Sequence, residues 1–350
     1  LGIDEAELRL LARTLAFGEA TDTLDGLRDQ LDLLFAYVGL RRIPANQSAF
    51  PYDDAIFQWM AQGRLEFDRV GFRAVCARED LLGAAQGGPR VFGVKSFEHA
   101  FDRLEERCHA VLDLIPSFDE RYIRSDADWD AKLYPALRTF LLAAAKDQPR
   151  LRLALDAHVT LAFAAGSVIN IKSGRQVELE QRSTGRRLWS ADDMIPDTTW
   201  PALVLETAVL RPDQPELAVA VGLTHDVSAD VRRYCESALP NVGQILILKP
   251  NCGSGAQSVT CGRHAFELAD TATGAIRTAK ADGPGLTHLF VAAPNAFTFF
   301  LGQRQTALGT VRLYEFDFDG GRGRSYAAAL TLPLAACALR SMSSISISGF

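Results

Sequence analysis

The stretch Thr287-His-Leu-Phe-Val-Ala-Ala-Pro-Asn-Ala-Phe-Thr-Phe-Phe-Leu-Gly302 decides the fold. Leu289 to Ala293 is a short apolar run without polar alternation, the habit of a strand buried on both faces of a parallel sheet. Pro294-Asn295 turns the chain, and Phe297, Phe299, Phe300 and Leu301 crowd the segment that Gly302 closes. Proline suits the start of a helix and glycine its end. The stretch predicts strand, tight turn and buried helix, which is half of a nucleotide-binding βαβ unit.

An earlier stretch has the same order. Leu153-Ala-Leu-Asp-Ala157 is apolar, His158 holds the place of Pro294, and a small apolar helix is predicted from Thr160 to Gly166. In this register Leu153 falls on Leu289, Ala157 on Ala293, Phe163 on Phe299 and Gly166 on Gly302. Each copy is followed by a linker and an alternating strand, Val177–Arg182 and Val311–Phe316. An internal repeat of this kind predicts two Rossmann-like halves facing each other.

The 350 residues suggest two or three structural units, and 48% apolar with 23% charged residues fits a soluble globular protein. Residues 1–150 carry 19 Lys and Arg against 25 Asp and Glu, and residues 151–333 carry 17 against 18. That balance excludes a generic basic duplex-binding surface and leaves room for a phosphorylated ligand in a local pocket. Six scattered cysteines with no CxxC pair, no signal peptide and no long apolar run predict a reduced, cytoplasmic protein without a membrane span. The chain opens on Leu1 and not on Met, so a piece with a domain upstream is expected.

Helical spacing predicts helices over residues 4–17 and 24–38, and again between Ala55 and Leu82, giving a helical module over 1–88. Ala84–Pro89 reads as a linker. Phe97, Phe101, Leu104, Cys108 and Leu112 predict an amphipathic helix capped by Ser96, and Tyr134-Pro135 opens another, so 89–150 reads as a helical linker. Residues 151–333 form the α/β region, divided at about 250 into two halves. Within it a helix is expected near Trp200–Leu210, strands at Leu217–Leu223 and Gln244–Leu248, helices from Ser228 and Arg263, and a final pair of strands joined at Gly320–Gly323. The Ser-rich tail over 334–350 reads as mobile.

In open α/β sheets, ligands collect beyond the carboxyl ends of the strands, where helix N-termini offer free N–H groups to anions. Here those ends are Ala157-His158 with Thr160, Thr224-His225-Asp226, and Pro294-Asn295-Ala296 with Phe297. Two facing halves would make a composite cleft suited to a cyclic nucleotide with repeated phosphates. Trp189 and Tyr314 are candidates to stack bases, and Lys172, Arg182 and Arg304 to neutralise phosphates. His158 also reads as a hydrogen-bonded structural histidine, Trp189 also as core, and His225-Asp226 diverge too far on a strand to favour a catalytic dyad. Gly166 to Lys172-Ser173 lacks the glycine of a phosphate loop, and Cys252, Cys261 and His264 lack a fourth zinc ligand. The sequence therefore offers no catalytic residue, metal site or cofactor.

His288–Gly302, Leu313-Tyr-Glu-Phe316 and the strand from Tyr326 resemble the C-terminal half of a SAVED domain. His158 through Gly166, Gln181-Arg182 and Trp189 resemble its N-terminal half. That resemblance implies a fusion of two CARF-like halves that senses cyclic oligonucleotides in bacterial anti-phage CBASS systems. It implies a cyclic di- or trinucleotide, the trinucleotide favoured, made by a cognate nucleotidyltransferase, and self-association on binding. It also brings Gln181 among the ligand contacts. Asp119–Ile123, Trp129, Tyr134-Pro135 and Phe140-Leu141 resemble the segment before the sensor in SAVED proteins that carry a DNA endonuclease. The first 150 residues lack a nuclease core, so contact with DNA would come through an effector domain outside this chain. A ring nuclease using His158 or His225, and a protein-binding scaffold, are the alternatives.

Overall fold

The computed structural model describes residues 58–63, 66, 69–78, 81, 90–98, 103–106, 108–146, 148, 150–182, 186–280, 285–317 and 325–334. The expected helices at 4–17 and 24–38, the linker 84–89, the turns 183–185 and 320–323, and the tail 341–350 lie outside them. Contacts divide the chain into a unit of residues 1–90, 99–107 and 182–188 and a unit of 91–98, 108–181 and 189–350. In the first, helix α1 (Arg69–Arg78) buries Val75 and Cys76.

Most of the described strands lie in two sheets. The first runs β2-β1-β5-β6-β7, with β1 (Val91–Lys95), β2 (Ala110–Asp113), β5 (Arg150–Asp156), β6 (Gln176–Arg182) and β7 (Arg186–Ser190). The second runs β13-β12-β11-β9-β10-β8, with β8 (Leu203–Val209), β9 (Glu216–Gly222), β10 (Val242–Pro250), β11 (Thr287–Ala292), β12 (Val311–Phe316) and β13 (Tyr326–Leu332). A short hairpin of β3 (Phe118–Asp119) and β4 (Tyr122–Ile123) lies apart from both. Helices α2 (Tyr134–Ala145), α3 (Val159–Val168), α4 (Ser228–Ala238), α5 (Gly262–Ala279), α6 (Asn295–Gly302) and α7 (Gln305–Leu308) complete the unit.

The repeat is present in three dimensions. β5 pairs in parallel with β6 exactly as far as the register Arg150–Ala154 allows, and β11 pairs in parallel with β12, so each copy is strand, helix, parallel strand. His158 and Pro294 cap the two helices with nearly the same backbone, φ −53°, ψ 149° and φ −57°, ψ 142°. Both helices are buried almost all round, which explains why they carry no polar face. One apolar core runs from Leu151, Leu153 and Leu155 of β5 through α3 and α6 to Leu217 and Val219 of β9 and Leu289 of β11. Ala218 and Ala220 alternate onto the other face of the second sheet and pack under α4 with Phe290 and Tyr314.

The helices cross at their glycines. A Cβ on Gly166 would stand 2.0 Å from the Phe299 carbonyl oxygen, and one on Gly302 would stand 2.1 Å from that of Phe163. Since Phe163 and Phe299 are equivalent in the repeat, as are Gly166 and Gly302, the crossing is reciprocal. Only glycine permits so close an approach of two backbones.

Three expectations are corrected. The halves do not divide at 250: β9 and β10 belong to the second sheet, beside β11, and the first sheet reaches back to β1 and β2. The helix expected over 97–112 gives way, among the described residues, to the short turn Leu104–Glu106 and to β2, which pairs in parallel with β1. Leu104 and Leu112, which helped set its helical spacing, belong to that turn and to β2. The helix expected near Trp200–Leu210 is the edge strand β8, where the β-branched Val204, Thr207 and Val209 and antiparallel pairing with β10 outweigh the local pattern.

Candidate functional site

The carboxyl ends of β5 and β11 meet. The Asn295 side-chain amide, at the first position of α6, donates to the Leu155 carbonyl at 3.0 Å and the Ala157 carbonyl at 3.1 Å. The N-termini of α3 and α6 are then capped across the seam. The Thr160 N–H donates to Glu315 Oε1 at 2.8 Å, and the Ala296 N–H donates to Gln181 Oε1 at 3.2 Å. Thr160 and Ala296 occupy the same place in the two copies, and so do Glu315 and Gln181. Each helix start is held by the strand that follows the other helix, a swapped cap repeated with pseudo-twofold symmetry.

The other strand ends are polar. The Thr224 N–H donates to the Ala292 carbonyl at 2.9 Å, and its hydroxyl lies 3.2 Å from Nδ1 of the exposed His225. Asp226 accepts from the Ser228 N–H at 2.9 Å and hydroxyl at 2.6 Å and pairs with Lys249 Nζ at 3.1 Å. Those Ser228 hydrogen bonds, with a smaller contribution from the Lys249 ammonium, hold the carboxyl below the usual range. The start of α5 is taken by Asp193, which accepts from the Gly262 and Arg263 N–H groups at 2.8 Å each. Four helix starts at the strand ends thus have one or two of their N–H groups taken by side-chain oxygens of the protein itself. A phosphate that takes one of those N–H groups has to displace its cap.

Several candidates are structural. His158 is buried, its Nδ1 2.6 Å from Ser96 Oγ and its Nε2 3.0 Å from the Arg121 carbonyl, with its ring stacked on Phe118 at 4.4 Å. Trp189 is 4% exposed and belongs to the apolar core, and the start of α5 at Gly262 packs against its backbone. Tyr314 is 2% exposed, bonded to His288 Nδ1 at 2.7 Å and stacked on Phe290 on the α4 side of the sheet, where burial pushes its hydroxyl pKa upward. Neither ring offers a free face to a base. Phe297, on α6 itself, is fully buried.

Two basic candidates lie at the wrong end. Lys172 follows the C-terminus of α3, a helix of 10 residues and so about 15 Å long, which carries it away from His158. Arg304 follows α6 in the same way and is 5% exposed. Its guanidinium donates to Asp270 at 2.8 Å and the Phe300 carbonyl at 2.7 Å, and it lies 4.1 Å over the Phe266 ring. Arg182 ends β6 next to Gln181, and its side chain is outside the described set.

From the predicted set the structure brings Gln181, Pro294 and Asn295 together at the seam, with Thr160 beneath; Thr224 joins the end of β11 through Ala292, and His225 and Asp226 follow it at the end of β9. The Thr160 hydroxyl is fully buried and makes no hydrogen bond. Sequence reasoning missed Glu315, Lys249 and Asp193. Glu315 was within reach, because the repeat register sets it opposite Gln181. Beside Glu315 is a hollow of about 30 Å³ lined by Arg121, Tyr122, Trp129, Asp317 and Tyr326. It is small beside the roughly 300–1,000 Å³ of ordinary ligand pockets.

A protein-family model described as "SAVED: SMODS-associated and fused to various effectors sensor domain" matches residues 133–332. CD-NTase-associated protein 4 of Enterobacter hormaechei subsp. hoffmannii (strain UCI 50) is 29% identical over 321 residues, covering 91% of this chain. The chain spans 63% of that relative's length. The Acinetobacter baumannii Cap4 SAVED/CARF-domain containing receptor with the cyclic trinucleotide 2'3'3'-cAAA superposes with a TM-score of 0.52 at 17% identity, over 71% of this chain and 52% of that one. The same receptor with 3'3'3'-cAAA gives 0.52 at 18% identity over the same shares. At these identities the likeness speaks for the fold.

Proposed function

This chain belongs to the SAVED family of sensor domains, and from that premise we propose that it binds a cyclic oligonucleotide across the seam between its two repeat units. The observation that carries the reading is the reciprocal capping by Glu315 and Gln181, which builds one composite face from two equivalent strand ends. A ring of nucleotides offers repeated phosphates and bases to such a face. A cyclic trinucleotide is favoured over a dinucleotide, in keeping with the ligands of the two receptor structures of the same fold.

In this reading Asn295, Pro294, Thr224, His225 and Asp226 contact the ligand directly, with Gln181 and Arg182 beside them. His225 is the exposed imidazole of the set and the natural group to meet a phosphate or a base edge. The ligand would come from a cognate nucleotidyltransferase of a CBASS anti-phage system. Its binding would drive self-association and switch on an attached effector, a DNA endonuclease.

Titration calorimetry with cyclic di-, tri- and tetranucleotides tests the reading. A trinucleotide is expected to bind with a dissociation constant below about 10 µM, near −7 kcal/mol. A panel in which nothing binds at that level sinks it. Recovering the ligand intact after prolonged incubation supports a sensor, whereas linear products would move His225 into a catalytic role.

A further inference from the structure

The hairpin β3–β4 belongs to neither sheet, yet it is bonded to both partners of one cross-seam cap. Phe118 pairs with Ile123 and Asp119 with Tyr122, and Glu120-Arg121 make the turn. Glu120 takes a left-handed φ of 53°, which a residue other than glycine keeps only where its surroundings fix it. His158, the cap of α3, holds that turn. Its Nε2–H donates to the Arg121 carbonyl at 3.0 Å, and its ring stacks on Phe118 with 10° between the planes. Ser96 Oγ donates to Nδ1 at 2.6 Å, so the imidazole is fixed on both of its nitrogens.

From there the hairpin reaches the other repeat. The Tyr122 hydroxyl donates to the carboxylate of Asp317, which is 5% exposed and follows β12. Asp317 lies two residues after Glu315, and His158 two residues before Thr160. The start of α3 and the end of β12 are therefore joined twice. One path is the Glu315 cap on Thr160, and the other runs through Phe118, Arg121 and Tyr122. Groups of both paths, Arg121 and Tyr122 with Glu315 and Asp317, line the hollow of about 30 Å³.

The other copy differs. The orders β2-β1-β5-β6 and β10-β9-β11-β12 correspond, so the stretch after β10 holds the place of the hairpin. That stretch ties back to the end of β9: Ser254 Oγ donates to the Gly222 carbonyl at 2.7 Å, and the Gly255 N–H to the Leu223 carbonyl at 2.9 Å. We propose that the hairpin is a strap that holds the α3 end of the seam shut, so that opening begins at the α6 end. Two ties in parallel part only together, so losing the Glu315 cap alone loosens the α3 end without releasing it. For a ligand the strap is a restraint, because part of the binding free energy works against it. That consequence rests on the sensing role proposed above; the strap itself does not.

Amide hydrogen exchange of the full chain, resolved to single residues by fragmentation in a mass spectrometer, tests the strap without ligand. Tyr122→Phe removes one hydroxyl and keeps the ring, and Phe118→Leu removes the stack on His158. Each should speed exchange of the Thr160 N–H about tenfold and leave the Ala296 N–H within about twofold of the parent. The double variant should exceed the faster single one by less than about twofold, because a strap cut at either end is already released. Unchanged exchange at Thr160, equal acceleration at Ala296, or effects that multiply overturn the proposal. Calorimetry with a cyclic trinucleotide then reads the restraint, and Tyr122→Phe should bind about threefold to tenfold tighter than the parent. Equal or weaker binding by that variant overturns the restraint. A parent that binds no cyclic nucleotide counts against the sensing role instead, and the exchange rates alone then decide the strap.

Discussion

Replacing Gly166 by alanine places a methyl group 2.0 Å from the Phe299 carbonyl oxygen, and replacing Gly302 places one 2.1 Å from that of Phe163. Carbon atoms settle at about 3.5–4 Å from their neighbours, so α3 and α6 have to part by roughly 1.5 Å. The obstacle is backbone, and no side chain can swing aside to relieve it. Overpacking of this kind costs about 1–3 kcal/mol and sometimes more; with the surrounding Phe163, Phe297 and Phe299 also losing contact, each variant should lie near ~3 kcal/mol. The double variant should cost ~4 rather than ~6 kcal/mol, because one separation relieves both clashes. Gly274, on the exposed face of α5 with nothing within 4 Å of a built Cβ, is the control. There alanine should stabilise by about 0.5–1 kcal/mol through helix propensity and a less free unfolded chain. Urea midpoints followed by circular dichroism measure all four proteins. A Gly166→Ala protein within about 0.5 kcal/mol of the parent, or strictly additive losses, refutes the reciprocal crossing.

Glu315→Ala should destabilise by about 1 kcal/mol through loss of the Thr160 cap, whereas Glu315→Gln should be nearly neutral, as Gln181 already does the same work at Ala296. Glu315→Gln should also tighten an anionic ligand about tenfold in calorimetry by removing a carboxylate from the seam; weaker binding would show that Glu315 contacts the ligand favourably. Trp189→Ala should cost about 3–5 kcal/mol in a denaturant melt, while a base-stacking platform would lose affinity with its stability intact. Burial lowers the His288 pKa more than the Glu216 carboxylate, 2.9 Å away, restores it, and Arg312 lowers it further. The folded value then lies below the unfolded ~6.5, so this contribution is complete above that pH and is lost as pH falls from there through the folded value. A urea midpoint that drops less between pH 7.5 and 5.5 in His288→Leu than in the parent would bear this out, and an unchanged drop would refute it.

What could be read from one sequence was what repeats. Leu153–Gly166 and Leu289–Gly302 announce themselves because buried parallel strands are apolar throughout and helices packed on every side lose their polar face. The cross-seam contacts were half legible: Gln181 and Asn295 stood in the candidate set, but Glu315 looked like one more alternating charge on a strand. Trp189, Tyr314 and Arg304 failed for a common reason. Aromatic and basic side chains near a ligand site and those that close a core look alike in sequence, and only the side of the sheet distinguishes them. Lys172 failed on distance, since a helix that starts at a strand end finishes well away from it.

The swapped caps give the two ends of the seam different electrostatics despite their matching geometry. At the start of α6 the acceptor is the neutral Gln181 amide, and at the start of α3 it is the Glu315 carboxylate. A phosphate that takes the Ala296 N–H displaces an amide, which can turn and donate its own N–H to the newcomer. A phosphate that takes the Thr160 N–H displaces a charge of its own sign, which then stays close by in a poorly screened place. In the proposed reading a cyclic ligand therefore engages the α6 end through phosphate and meets the α3 end with hydrogen-bond donors. Because each cap belongs to the strand of the other copy, releasing either one loosens the two halves from each other. In the proposed reading the seam would then both hold the ligand and turn its arrival into movement.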